Sequence, residues 1–410
     1  MTVLFFVSSR MRLCEWYTDR ELLLTGVTSD LGRALLEKIL RRLHNVKVYV
    51  VVRPKNGKSK DSRIKTLLQS PRLREECPDA SLRVKVLEGN LVYQKLGLST
   101  ADQSLLRKVS VVFHAAGPHE SVFEFCQELP NLEVVAAASS IFKHRGQIAE
   151  VLQNECTPKR PLAMVRVGCL GPAYREPMPG FVEVLKGSTA LMIGAGFGFG
   201  NSSLQAEVIP IDLVVNTLIA AAREPVYNAA TLGCTWGDLI KSGGEANRKF
   251  AYPTFGIRGM TSIGLLHWIL VLLFEWLPSI FCDTILTLGG GKRWMVEEYA
   301  RVRNALRSLE SISSRPWSAE RNRVYLLQKR LSLDEQDDFP LVAEIDLESY
   351  ILCAAASARK NCVAQQEHIN VVKNFRRIFC LFIIGILLYA FFFRILFYYL
   401  VNQVRVRFIS

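Results

Sequence analysis

The sequence predicts an α/β fold in which a doubly wound parallel sheet is followed by a helical domain and a C-terminal transmembrane helix. Three observations lead to this prediction. Apolar runs of strand length alternate with helical patterns through the first half of the chain, as is typical of a parallel sheet covered on both faces. From about residue 252 to 360 the pattern becomes helical, and residues 378–401 form a long apolar run.

Six segments have the length and composition of buried strands, at residues 22–25, 47–52, 83–87, 109–114, 133–138 and 162–166. The helix after the first strand carries an apolar stripe at helical spacing, which must face the sheet: Leu31, Leu35, Leu36, Ile39, Leu40 and Leu43. Turn-rich segments at 171–180 and 191–200 predict long loops that could form a substrate wall, and a further helix is expected at 209–222.

The predicted organisation is an N-terminal extension (1–20), a sheet domain with substrate loops (21–252), a helical domain (253–360), a basic linker (361–377) and a membrane anchor (378–401). The anchor is long enough to cross a bilayer if Arg394 snorkels to an interface, and the alternative is a buried or interfacial helix. By the positive-inside rule, Lys373, Arg376 and Arg377 favour a cytosolic location for the preceding domain, although Arg405 and Arg407 on the far side of the anchor weaken this prediction. Residues 265–281 are also very apolar but contain Glu275 and Pro278, so we expect a buried or membrane-dipping helix there.

Composition narrows the choice of partners. The net charge is +13, and much of it lies in residues 351–410, where it would attract anionic lipid. No basic stripe interleaved with aromatic residues occurs elsewhere, so a nucleic-acid partner is not expected. The ten cysteines form no CxxC pair and no His/Cys ligand spacing, which favours a reducing compartment and predicts no metal site. The first residues lack the features of a signal peptide.

Thr25, Gly26 and Gly32 fit the T-G-x-x-x-x-x-G frame of a Rossmann dinucleotide turn, and the frame follows a strand and opens an amphipathic helix. Ser29 stands where a middle glycine would let the backbone approach a pyrophosphate. Asp30 adds a carboxylate at the helix N-terminus, where the negatively charged phosphates of a dinucleotide should bind. Asp30 could equally be a helix N-cap. Both changes are expected to weaken nucleotide binding.

The loop after the second strand is basic. An NAD-specific site would place an acidic residue there, but the sequence has Arg53, with Lys55 and Lys58 nearby. These cations suit the 2′-phosphate of NADP, and the alternative is an ordinary exposed loop.

Several ordered, collinear stretches together resemble the alcohol-forming fatty-acyl-CoA reductases, especially the insect branch. They include "VVRPKNGKS", "LEGNLVYQKLGLS", "VVFHAAG", "NLEVVAAASS", "MVRVGCLGPAYREPMPGFVEVLKG", "VIPIDLVVNTLIAAA" and "PWSAERNRVYLLQKR", within residues 15–355. The resemblance implies reduction of long-chain acyl-CoA to fatty alcohol through an aldehyde, with two NADPH, on a membrane-attached enzyme of the endoplasmic reticulum or peroxisome. It leaves homo-oligomerisation open.

The same resemblance implies a cofactor site. Asn90 stands where the family usually has an aspartate near the adenine, and Ala115 and Ala116 match the alanines below the nicotinamide. The residues predicted to bind the cofactor are Thr25, Gly26, Thr28, Ser29, Leu31, Gly32, Arg53, Asn90, Leu91, Ala115 and Ala116.

The catalytic segment departs from the family. Such reductases use a Ser or Thr after the fifth strand and then a Tyr four residues before a Lys, whose charge lowers the tyrosine pKa so that the phenol can protonate the carbonyl oxygen. Ser139 (or Ser140) matches the first residue and Lys143 matches the lysine, although Lys143 could be only a solvated helix residue. No tyrosine occurs between Tyr93 and Tyr174.

Two histidines are candidate substitute proton donors. His114 is better explained as a packing residue at a strand end, and His144 follows Lys143 directly. The segment before residue 133 also looks short, but "SVFEFCQEL" can still form a stunted helix that preserves the strand order.

Three hypotheses follow. The first is a fatty-acyl-CoA reductase whose written sequence lacks internal segments. The second is a catalytically inactive homologue that binds lipid, acyl-CoA or a protein partner at the membrane. The third, a nucleotide-sugar epimerase or steroid-type dehydrogenase, also needs the tyrosine and matches the C-terminal half poorly.

Overall fold

The computed structural model describes residues 12–54, 57, 59–68, 71–117, 120–142, 162–222, 227–254, 257–288, 292–363, 391 and 394. Its centre is a seven-stranded sheet in which every pairing is parallel, in the order β3-β2-β1-β4-β5-β6-β10. The strands are β1 (Glu21–Thr25), β2 (Lys47–Val52), β3 (Val84–Glu88), β4 (Val111–His114), β5 (Val134–Ser140), β6 (Leu162–Val167) and β10 (Tyr227–Asn228). The predicted doubly wound sheet is therefore confirmed.

The strands are apolar on both faces because helices cover both sides of the sheet. Leu22 and Leu24 of β1 belong to one core cluster, whereas Leu23 between them belongs to another on the opposite face. Helices α2 (Asp30–Arg42) and α9 (Ile211–Ala221) cover the first face. The predicted stripe on α2 is buried as expected.

The second face is covered in part by α7 (Glu120–Glu128), which buries Val122, Phe125 and Cys126. This helix lies between β4 and β5 in sequence, and these two strands pair directly, with Val111 opposite Val134. The short segment before residue 133 therefore forms the expected stunted helix, and the strand order is preserved.

The remaining elements are mostly helical after residue 235, as the sequence indicates. They are α1 (Leu13–Tyr17), α3 (Lys60–Leu68), α4 (Pro71–Glu76), α5 (Ala80–Arg83), α6 (Thr100–Leu105), β7 (Cys169–Gly171), α8 (Gly187–Met192), β8 (Gly198–Phe199), β9 (Val208–Pro210), α10 (Trp236–Lys249), β11 (Met260–Thr261), α11 (Gly264–Val271), α12 (Leu277–Leu288), α13 (Met295–Ser313), α14 (Asn322–Arg330), α15 (Leu333–Asp338) and α16 (Leu347–Asn361). A second apolar core joins α8 and α10 to α13 and α16, so it draws on both sides of the predicted domain boundary at residue 252.

A cluster of charges joins the sheet domain to the helical region. The Glu176 carboxylate lies 2.6 Å from the Lys38 ammonium and 3.0 Å from the Arg41 guanidinium of α2. Lys38 also donates a hydrogen bond to the Asp338 carbonyl at the end of α15. Burial alone would raise the pKa of Glu176, but the two cations outweigh it and lower the pKa to about 2. Glu176 is therefore ionised throughout the physiological range.

The apolar segment at 265–281 is helical but is not buried. A continuous helical segment, Gly264–Thr287, contains an 18-residue window with a mean hydropathy of 1.9, of which only 22% is buried. It is the candidate membrane helix among the described residues. It is not C-terminal. The anchor predicted at 378–401 lies outside the described residues except for Phe391 and Arg394, which are both helical; the linker 361–377 is described only to residue 363.

Candidate active site

The glycine turn between β1 and α2 is closed by backbone contacts. Gly26 has φ of +79°, and a Cβ there would lie 2.7 Å from the Ala115 carbonyl carbon and from the Ala116 nitrogen. A Cβ on Gly32 would lie 2.2 Å from the Gly26 oxygen. Both glycines are therefore required by the packing of α2 and β4 against the turn, whether or not a nucleotide binds.

Ser29 caps α2 and holds the turn to the neighbouring strand end. Its Oγ accepts a hydrogen bond from the Gly32 N–H at 3.0 Å and donates one to the Ala115 carbonyl at 3.0 Å. The serine in place of the middle glycine thus uses a backbone N–H at the helix N-terminus, where dinucleotide phosphates normally bind. Asp30 is the first residue of the helix and not its N-cap.

Asp30 is paired with two cations. Lys186 Nζ lies 2.7 Å from Oδ2 and Arg33 Nη2 lies 2.9 Å from Oδ1. Burial raises the pKa of Asp30, but the hydrogen bonds and charges of Lys186 and Arg33 outweigh it, so the pKa falls below its ordinary value. The carboxylate expected to repel phosphate is therefore present but compensated, which reduces the predicted penalty.

His114 ends β4 with both ring nitrogens engaged. Nδ1 lies 2.6 Å from Thr25 Oγ1, and Nε2 lies 2.8 Å from the Gly117 carbonyl. The carbonyl can only accept, so Nε2 carries a hydrogen, and in the neutral ring Nδ1 then accepts from the threonine hydroxyl. Its ring also packs edge-on against Phe123 at 5.7 Å. These contacts fit the packing role expected for His114 better than that of a proton donor, and His144 lies outside the described residues.

Ser139 and Ser140 lie at the end of β5, beside Arg166 and Val167 of β6. Ser139 is half-buried, and Ser140 Oγ accepts a hydrogen bond from the Phe142 N–H at 3.2 Å. Accepting that bond leaves the Ser140 hydroxyl free to donate, so both serines remain candidates for contact with a substrate carbonyl. Lys143, the other predicted catalytic residue, lies outside the described residues, as does the chain from 143 to 161.

A cleft of about 330 Å³ opens at the carboxyl edge of the sheet, where ligands of open α/β sheets bind. Its lining brings together five residues of the predicted site, namely Ser29, Leu31, Ala115, Ala116 and Ser139, and also includes the alternative candidates Ser140 and His114. An apolar wall is formed by Phe123, Met164 and Leu170, and the described lining contains no tyrosine. Lys186 also lines the cleft and could not be predicted from the sequence, because no local pattern connects a residue in the 180s with Asp30.

The other predicted cofactor residues lie around this cleft and not in its lining. Thr25 is buried in its contact with His114, and Thr28 is exposed. Arg53 is exposed directly after β2, and Lys55 and Lys58 lie outside the described residues. The Asn90 side-chain oxygen accepts from the Val92 N–H at 3.3 Å, and the Leu91 carbonyl accepts from the Ser121 hydroxyl.

Comparisons with known proteins agree with this geometry. A family model of NAD-binding type, described as "Male sterility protein", matches residues 24–140, and a second model with the same description matches residues 274–365. The chain is 27% identical to "Fatty acyl-CoA reductase 1" of Rattus norvegicus, over 88% of this chain and 90% of that protein. It is 22% identical to "Fatty acyl-CoA reductase wat" of Drosophila melanogaster, over 78% and 79%.

Two solved structures share the fold. The reductase domain of a nonribosomal peptide synthetase from Mycobacterium tuberculosis gives a TM-score of 0.55 at 16% identity, covering 83% of this chain and 91% of that one. The terminal R domain of the myxalamid pathway gives 0.54 at 16% identity, covering 85% and 93%.

The parallel sheet, the glycine turn and the cleft at its carboxyl edge define a Rossmann-fold oxidoreductase with a nicotinamide cofactor. The two matched family regions and the full-length relatives identify the particular group: the chain belongs to the fatty acyl-CoA reductase family. The alignment with the rat protein extends over 473 positions, more than the 410 residues of this chain, so that relative contains internal segments with no counterpart here.

Proposed function

We propose that this protein reduces long-chain acyl-CoA to the fatty alcohol with NADPH as the reductant. The observation that carries the proposal is the cleft in which Ser139, Ala115 and the N-terminus of α2 meet beside an apolar wall. The relatives over most of the chain are named as reductases, which favours this function over the non-catalytic alternative.

The residues around the cleft fit a dinucleotide. Gly26 keeps the turn free of a side chain at its closest approach to β4, and the compensated Asp30 leaves no net negative charge beside the expected phosphates. Arg53 would bind a 2′-phosphate, and Ala115 and Ala116 would leave room for a nicotinamide ring. We assign the phosphates to the turn formed by Thr25, Gly26, Thr28, Ser29, Leu31 and Gly32, and the adenine to Asn90 and Leu91.

The bound cofactor would supply hydride to the thioester carbonyl carbon, and again to the resulting aldehyde. The overall conversion consumes two NADPH and two protons and releases two NADP⁺, CoA and the alcohol. Ser139 would orient the carbonyl by donating a hydrogen bond to its oxygen, and Lys143 would hold the cofactor ribose. The chain has no tyrosine between Tyr93 and Tyr174 to donate the proton. We therefore expect a rate about 10² to 10⁴ below that of a relative with this acid.

We further propose that residues 378–401 anchor the protein in the membrane of the endoplasmic reticulum or peroxisome, with the catalytic domain in the cytosol. The supporting observations are the apolar run and the basic residues Lys373, Arg376 and Arg377 before it. A membrane location suits a substrate with a long acyl chain, which partitions into lipid.

The test uses the purified full chain in detergent with NADPH and palmitoyl-CoA. Hexadecanol is measured by mass spectrometry and NADPH by absorbance, and two NADPH should be consumed per alcohol. Ser139→Ala should abolish product, whereas Ser81→Ala, at an exposed serine far from the cleft, should not. NADPH binding without hexadecanol would support the inactive homologue, and no NADPH binding would overturn the proposal.

A further inference from the structure

The helical segment from Gly264 to Leu288 exposes an unusually apolar face. It comprises α11, a π-helical turn at Leu272–Trp276 and α12. Nine of its large apolar side chains are between 36% and 71% exposed: Leu265, Leu266, Trp268, Ile269, Leu273, Phe274, Leu277, Ile280 and Phe281. We call these nine residues the apolar face. Isolated exposed apolar residues are common on soluble proteins, but a contiguous set of this size marks an interaction surface.

The polarity of this segment is inverted relative to a helix on a water-facing surface. Its two carboxylates point into the protein, since Glu275 is only 1% exposed and Asp283 only 5%. Ser279, which lies between them, is fully buried. The apolar side chains therefore face outward while the charged ones face inward, opposite to the pattern of an ordinary amphipathic helix.

The π-helical turn helps to keep this polarity constant along the segment. The buried residues Val271, Glu275, Ser279 and Asp283 are spaced four apart. In a regular α-helix each four-residue step overshoots a full turn by about 40°, so these residues would drift around the helix. The wider turn at Leu272–Trp276 compensates for this drift, and all four residues stay on the inward side.

The inward side is fixed to the protein at two points. Glu275 accepts a hydrogen bond from the Phe197 N–H at 2.7 Å and lies 3.0 Å from Arg303 of α13. Asp283 accepts hydrogen bonds from the backbone N–H groups of residues 294–296 and so caps α13. Because the segment is held against the domain at both points, it lies on the domain surface and does not project from it.

We propose that the apolar face docks on a lipid bilayer, with the segment lying in the plane of the membrane interface. At about 100° per residue, Trp268, Leu265 and Leu266 alone span roughly 160° of the circumference. This is wider than the stripe of about 100° that one packed helix covers, whereas a bilayer covers it all. Exposed Lys292 and Arg293 follow the segment and would contact anionic head groups. Trp268 suits the interfacial region.

This docking is independent of the anchor at 378–401 and would bring the described domain itself onto the membrane. The test uses the full chain in vesicles of phosphatidylcholine and phosphatidylserine, with the photoreactive residue benzoylphenylalanine in place of Phe281. The matched control has the same residue in place of Tyr325, an aromatic side chain on α14 that is 47% exposed. We expect a phospholipid adduct at position 281 in about tenfold higher yield than at 325.

A second substitution tests the mode of docking. Leu265→Glu should reduce the lipid adduct at 281 several-fold, because the charge resists entry into the bilayer, whereas Leu333→Glu, at an exposed leucine of α15, should not. Equal lipid yields at positions 281 and 325 would overturn the proposal. It would also be overturned if position 281 crosslinked mainly to residues 378–401, or to a second copy of the chain, in place of lipid.

Discussion

Replacing Ser29 with glycine should weaken the fold and strengthen cofactor binding. The Ser29 hydroxyl makes two hydrogen bonds of 3.0 Å, one from the Gly32 N–H and one to the Ala115 carbonyl. Loss of the cap costs a few tenths of a kcal/mol, and loss of the bond to a buried carbonyl costs about 1 kcal/mol. The added freedom of glycine in the unfolded chain costs about 0.5 kcal/mol more. We expect the free energy of unfolding to fall by about 2 kcal/mol in total.

The same substitution frees the Gly32 N–H to bind phosphate. A hydrogen bond to a charged acceptor contributes about 1.5 kcal/mol, so the Kd for NADPH should fall about tenfold. Urea unfolding measures the first effect, and NADPH fluorescence titration of the full chain measures the second.

Ser99→Gly provides the control for this experiment. Ser99 caps α6 in the same way, accepting from the Asp102 N–H at 3.1 Å, but it is exposed and distant from the cleft. It should lower stability slightly and leave the Kd unchanged. If Ser29→Gly binds NADPH no better than the unmodified chain, the Ser29 hydroxyl does not compete with phosphate for the Gly32 N–H.

Three further predictions concern the same framework. Because the pKa of Glu176 is lowered to about 2 from 4.5, its contribution to stability is present above pH 4.5 and is lost as pH falls through 2. Part of that contribution is offset by the burial of Lys38, so Glu176→Gln should reduce the free energy of unfolding by about 2 kcal/mol at pH 7. If the variant and the unmodified chain differ in stability by the same amount at pH 2, the prediction is wrong. Gly32→Ala should destabilise the protein by about 3 kcal/mol or more. Gly244→Ala in α10, where a Cβ meets nothing within 4 Å, should stabilise it by about 0.5 to 1 kcal/mol. Thermal unfolding measures both changes, and a shift in the opposite direction for either variant would contradict the prediction. Lys186→Met should raise the Kd for NADPH about tenfold by leaving Asp30 less compensated, and adding Asp30→Asn should reverse the loss; no reversal would mean that Lys186 does not act through Asp30.

The fold could be predicted from the sequence because the spacing of buried residues along a strand or helix depends only on residues close together in the chain. The predicted strand at 47–52 matches β2, and the predicted strand at 133–138 matches β5 to within two residues at its end. The stunted helix before β5 was also predicted, since a parallel crossover requires a covering segment. Gly26 and Gly32 were recognisable because their spacing reflects a backbone contact made within one turn.

Only part of the candidate site could be predicted from the sequence. Ser29 and Ser139 could be placed because each lies at a strand end or a helix start, and parallel strands bring those ends to one edge. Of the two cations that pair with Asp30, Lys186 could not be predicted, because it reaches the carboxylate from a loop more than 150 residues later. The contacts of His114 agree with the predicted packing role, although the ring also lines the cleft, and its bond to Thr25 depends on the pairing of β1 with β4.

By itself, the sequence determined the parallel sheet, the covering helices, the glycine turn and the absence of a tyrosine between residues 93 and 174, since each is set by residues close together in the chain. Only the tertiary structure decided which way the helix at 264–288 faces and whether Asp30 repels or tolerates a phosphate. Apolar periodicity shows that a side chain avoids water but not whether protein or lipid covers it. A charge is neutralised by whatever packing brings within hydrogen-bond distance, however distant that partner is along the chain.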